Sequence, residues 1–134
     1  MKEPVWLDER DARALHQKLV AIHGGAGAIR DEVLLASALA RPRQHFAYAD
    51  KPALMAMAAA YTAGIVKNHP FFDGNKRTGF VVGVLFLEIN GYKFVASEAQ
   101  SAQAVIGLAA GQIDEAQYAQ FLERNAVRSR RPDV

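Results

Sequence analysis

Between His69 and Arg77 the chain gathers an imidazole, a carboxylate, a glycine, an amide, an ammonium and a guanidinium, in the order His-Pro-Phe-Phe-Asp-Gly-Asn-Lys-Arg. Gly74 lets a backbone approach a ligand closely. If a helix opens there, its first N–H groups lack intrahelical partners and lie at the positive end of the helix dipole, which makes an anion site before any side chain is counted. Lys76 and Arg77 add charge, and Arg77 can grip phosphate oxygens in pairs. Asn75 adds an amide donor. So many donors exceed what a carboxylate needs and point to a di- or triphosphate. Asp73 directly precedes them, and a carboxylate against a polyphosphate calls for a cation between the two. Mg²⁺ fits, because it takes one or two carboxylates with phosphate oxygens and water. The commoner role for an aspartate at such a position is a helix N-cap. His69 can accept a proton near neutral pH, which suits deprotonation of a hydroxyl that attacks phosphorus. The plain alternative is a loop histidine ahead of a proline. Phe71 reads as the core anchor that points the loop, with Phe72 facing outward. The spacing is not that of a Walker A loop. Pro70 also prevents His69 and Asp73 from forming a metal pair at helical spacing.

The flanking sequence predicts helices that position this loop. A helix over 52–68 carries a stripe of Leu54, Met57, Ala58, Tyr61 and Ile65, and it must end near His69 because Pro70 disfavours helical geometry there. A helix over 74–90 has only Glu88 charged between Gly79 and Ile89, so it is expected to be the buried, central one. Ahead of these lie helices over 8–22, capped by Asp8, and over 31–40, with Pro42 just past its end. The connector 41–51, with Arg41, Arg43, His45, Phe46 and Tyr48, reads as a solvated loop with one aromatic tucked in, or as a binding edge. His16 and His23 are expected at the surface or at a helix end. Residues 92–95 alternate and suit a short extended piece. Ser97 with Gln100, and Asp114 with Gln117, have capping-box spacing and open two further helices.

The expectation is one all-α domain of about six helices over 1–125, followed by a basic, disordered tail over 126–134. The chain has 134 residues, 51% hydrophobic and 22% charged, enough for one core. A net charge of +2 is too weak to argue for direct nucleic-acid binding. The absence of cysteine excludes disulfides and thiolate metal sites. No apolar run approaches the roughly 20 residues of a membrane span, and no signal peptide is evident, so a cytoplasmic protein is expected.

The stretch His69-Pro70-Phe71-Phe72-Asp73-Gly74-Asn75-Lys76-Arg77 resembles the signature of Fic-domain proteins, His-x-Phe-x-Asp/Glu-Gly-Asn-Gly-Arg-x-x-Arg, and more closely its Doc (death-on-curing) branch, where Lys replaces the second Gly. Gly24-Gly25, the run from Ile29 to Leu39 and the run from Leu85 to Tyr92 extend the likeness over most of the chain. The resemblance implies a compact helical domain with the motif loop between two central helices. It implies His69 as general base, Asp73 as the Mg²⁺ ligand, Gly74, Asn75, Lys76 and Arg77 as the anion cradle, and Phe71 as the packing residue. The second motif arginine would fall at Phe80, which cannot contact phosphate. Doc shares that departure and Lys76. It implies a toxin kinase that binds ATP in reversed orientation and transfers the γ-phosphate to elongation factor Tu, arresting translation, under restraint by a Phd-type antitoxin. AMP or another nucleotidyl transfer to a protein hydroxyl is the alternative, and a non-catalytic anion- or partner-binding module is a third reading. No Ser/Thr-x-x-x-Glu-Gly/Asn inhibitory helix is present in the sequence, so restraint is expected from a separate partner.

Overall fold

A computed structural model describes residues 1–129. Six helices and two short strands follow one another as α1 (Glu9–His23), α2 (Glu32–Tyr48), α3 (Leu54–Asn68), α4 (Asn75–Ile89), β1 (Tyr92–Phe94), α5 (Glu98–Ala109), α6 (Glu115–Arg124) and β2 (Ala126–Arg128). The architecture is all-α with one two-stranded antiparallel ribbon, in which Lys93 pairs with Val127. None of these helices is long and apolar enough to cross a membrane.

The most enclosed element is α3 rather than α4: Met57 to Val66 is an unbroken buried run. Alanines on nearly every side let neighbouring helices come close, and α2, α4, α5 and α6 all pack against α3. Gly83 of α4 makes the closest approach possible. A Cβ there would press on Thr62 Oγ1 and lie 3.0 Å from Ala58 O. The centre of the molecule is therefore the α3–α4 pair, and the motif loop joins the two. The outer side of α4, at Phe80, Val81 and Val84, is only half-buried and lines a groove of about 770 Å³ against Phe94 and α5.

Two further sequence expectations change. The second helix does not stop before Pro42 but runs through it to Tyr48. Proline removes one backbone donor, here the one that would serve Ala38 O, and normally breaks a helix. Burial of Pro42 and anchoring of its neighbour hold this one together: Arg41 Nη1 donates to Ala60 O at 3.1 Å and Nη2 to Glu115. The 41–48 segment is thus helix, with Phe46 packed against the core and Tyr48 exposed. The second change is at the C-terminus. Residues 126–128, read as the start of the tail, form β2 because Val95 N–H to Asn125 O (2.8 Å) and Ser129 N–H to Gly91 O (2.8 Å) extend the pairing on both sides. The rest of the expected tail, 130–134, lies outside the described residues.

Candidate active site

The loop begins where α3 ends. His69 caps α3 in the left-handed conformation (φ 53°, ψ 53°), the only described residue other than glycine with positive φ. That geometry costs a non-glycine residue about 1–2 kcal/mol and is typically retained where function requires it. Pro70 then sets an extended direction, and Phe71 makes an antiparallel bridge with Ile29. Phe71 is fully buried, while Phe72 is 57% exposed, as the sequence alternation predicts.

Three contacts fix the loop from inside. The Asn75 side chain accepts from Phe71 N–H (3.0 Å) and donates to Phe71 O (2.9 Å), closing the loop on itself. Its amide is therefore committed to the scaffold and is not free to meet an anion as the sequence reading expects; what Asn75 leaves open is its backbone N–H. The His16 ring stacks on Phe71 with centroids 3.8 Å apart, and its Nε2 lies 2.8 Å from Asp73 O. His16 is 1% exposed and is a loop support, not the surface histidine expected. Its placement at Ala12 plus four, on the apolar face of α1, was the available signal. Third, Arg30 reaches from the segment before α2 and donates through Nε to His69 O (2.7 Å) and through Nη2 to Asn68 O (3.0 Å). Nothing in the motif points to Arg30. His23 is exposed at the end of α1, as expected.

Gly74 is the N-cap of α4 with φ 79°, and no side chain caps the helix. Its conformation favours glycine. Asp73 is not the N-cap: its Oδ1 accepts from Gly74 N–H at 2.9 Å, one residue before the cap position it might fill. The first helical bond runs from Thr78 N–H to Gly74 O (2.9 Å), so the N–H groups of Asn75, Lys76 and Arg77 precede the ladder. Gly25 also matters here, because a Cβ on it would sit 2.7 Å from Asp73 Oδ2. The first glycine-rich turn thus leaves room for the carboxylate.

His69, Asp73, Gly74, Asn75, Lys76 and Arg77 line one cleft of about 450 Å³, with Val66 and Ala109 completing its wall. The side chains of His69, Asp73, Lys76 and Arg77 are all exposed. Lys76 and Arg77 also border the larger apolar groove, so the two cavities adjoin across them. No cluster of three or more metal-ligating side chains exists among the described residues. Asp73 alone suits a Mg²⁺ ion only if phosphate oxygens and water supply the remaining positions, which is how Mg²⁺ is ordinarily held. The cleft can therefore bind a phosphate chain on helix amides and cationic side chains, with an imidazole and a carboxylate at its edge.

The Fic/DOC family model matches residues 6–87, which include both central helices and the loop. The chain is 30% identical over 111 residues to the protein kinase doc of Escherichia phage P1, a match spanning 83% of this chain and 87% of that protein. It is 40% identical over 74 residues to the toxin Doc of Mycolicibacterium smegmatis (strain ATCC 700084 / mc(2)155), spanning 54% of this chain and 57% of that one. With a motif loop seated between paired helices and a family match over more than half its length, the chain belongs to the Fic/DOC family.

Proposed function

We propose that this protein is a Doc-like toxin of a toxin–antitoxin module, a kinase that moves the γ-phosphate of ATP to a Ser or Thr hydroxyl of a protein. Elongation factor Tu is the target by resemblance, with arrest of translation as the consequence. The observation that carries the proposal is the single cleft in which His69, Asp73 and the uncapped, cationic start of α4 meet. The family match and the phage P1 relative named a protein kinase support the same reading.

In this reading the phosphates lie on the N–H groups of Asn75, Lys76 and Arg77 and on the Lys76 and Arg77 side chains. Charge develops on the phosphoryl oxygens in the transition state, and preorganised donors of this kind supply most of the catalysis. His69 takes the proton from the attacking hydroxyl. The new bond forms between that oxygen and the γ-phosphorus, and ADP leaves with the electrons of the broken P–O bond. Asp73 would hold Mg²⁺, which would supply further charge neutralisation on the phosphates. Asn75, Phe71 and His16 keep the loop in place. Restraint comes from a separate antitoxin of the Phd type.

Purified protein, Mg²⁺ and bacterial lysate incubated with ATP labelled at the γ- or the α-phosphate test this directly, with His69→Ala as control. Label entering a protein band from the γ-position alone, and lost in the variant, is the expected result. Label from the α-position alone would make the protein an AMP transferase. No label from either, with folded protein and elongation factor Tu present, would favour a non-catalytic binding module.

A further inference from the structure

The proposed base sits on a backbone that is unfavourable by itself, and one side chain far away in sequence holds it there. Helix α3 ends with carbonyls that have no intrahelical donor. His69 N–H still reaches Ile65 O at 3.1 Å, after which the chain turns left-handed. The Arg30 guanidinium covers the two carbonyls that follow, those of Asn68 and His69, through two different nitrogens. Arg30's own N–H adds a bond to Pro70 O at 2.7 Å, and Asp31 N–H reaches the same oxygen at 3.0 Å. The Asn68 side chain returns the contact by donating to Leu34 O at 2.9 Å. Three consecutive carbonyls, 68 to 70, are thus bound by a two-residue segment ahead of α2. A cation at a helix C-terminus also favours the helix dipole.

Arg30 is exposed and lines neither the cleft nor the adjoining groove. Resting on the reading of His69 as base, we infer that Arg30 is a positioning residue: its fork locks residues 68 and 69 in the turn that aims the His69 imidazole into the cleft. Lysine cannot replace it, because a single ammonium does not reproduce the planar fork that spans two carbonyls. Small misplacement of a reacting group is enough to lower turnover on the order of 10²-fold.

The test compares wild type, Arg30→Ala and Arg30→Lys in the γ-label transfer assay, alongside NMR of the His69 backbone. For Arg30→Ala, kcat is expected to fall by at least about ten-fold with KM for ATP within about two-fold. Arg30→Lys should remain impaired, and millimolar guanidinium should restore part of the alanine variant's turnover. The His69 Cα and Cβ shifts should leave left-handed values in Arg30→Ala and return with guanidinium. Turnover at the wild-type rate with His69 still left-handed would overturn the inference. So would a loss of turnover shared equally with ATP affinity and untouched by guanidinium. If wild-type protein transfers no label, the base reading fails by itself, and the His69 shifts still decide whether Arg30 sets the turn.

Discussion

Helices α1, α5 and α6 start with complete capping boxes, and α4, the helix that opens the cleft, starts with none. Asp8, Ser97 and Asp114 each accept from an amide three residues on and donate their own N–H to that residue's side chain in return. Each of those helices also has an acidic residue in its first turn, which suits the dipole. Helix α4 has Gly74 at the cap, no acidic residue in its first turn, and Lys76 with Arg77 there instead. Helix α3 is also uncapped, but its first turn holds no cation. The difference teaches that α4 forgoes local stability and keeps its first amides and charge uncommitted, as the proposed phosphate site requires. A helix start optimised for folding and one optimised for binding call for opposite residues at the same positions.

The largest expected effect comes from removing the proposed base, which shares the cleft with this open helix end. His69→Ala should lower transfer by about 10²–10⁴-fold while leaving the thermal midpoint nearly unchanged, since the side chain is exposed. Asn75→Ala attacks the scaffold instead. It leaves the buried N–H and C=O of Phe71 unpartnered and should lower stability by about 2–4 kcal/mol in a denaturant titration. Replacing both Lys76 and Arg77 by Glu would give α4 the acidic first turn of its neighbours. Stability should then rise slightly, by about 0.3–1 kcal/mol, while ATP affinity collapses. A variant that keeps ATP affinity would break the comparison. The reverse experiment is Ser97→Ala, which should cost about 1 kcal/mol of stability with no change in nucleotide binding.

The smallest effect is one of pH. The backbone N–H of Asp11 holds the Asp8 carboxyl below the ordinary aspartate value of 3.8. Its contribution to stability is therefore complete above that value and is lost as pH falls through the lower, folded-state value. Asp8→Asn should flatten the acid limb of a plot of thermal midpoint against pH.

The sequence made the loop and its neighbours legible because their signals are local. Capping boxes at Ser97 and Asp114, the stop at Pro70 and the inward Phe71 against the outward Phe72 follow from spacing within a few residues. What escaped depends on partners distant in the chain. Pro42 lies inside α2 because tertiary packing and the Arg41 contacts override its local preference. The short β2 strand needs β1, more than thirty positions earlier. In the site itself, the types of His69, Asp73, Lys76 and Arg77 were enough to place them on one cleft. The side chain of Asn75 was misjudged because its partner is a backbone, which no residue type reveals. His16 and Arg30 reach the loop across separations of 57 and 39 residues, beyond any motif.

The account turns on whether α4 seats the phosphates. The direct measurement is a titration of ¹⁵N-labelled protein with ATP and Mg²⁺, following the amides at the starts of all six helices. The account predicts saturable shifts concentrated at Gly74, Asn75, Lys76 and Arg77, with the amides of Glu98 and Glu115 unmoved. Saturable binding that leaves the α4 amides still and shifts another surface would contradict it.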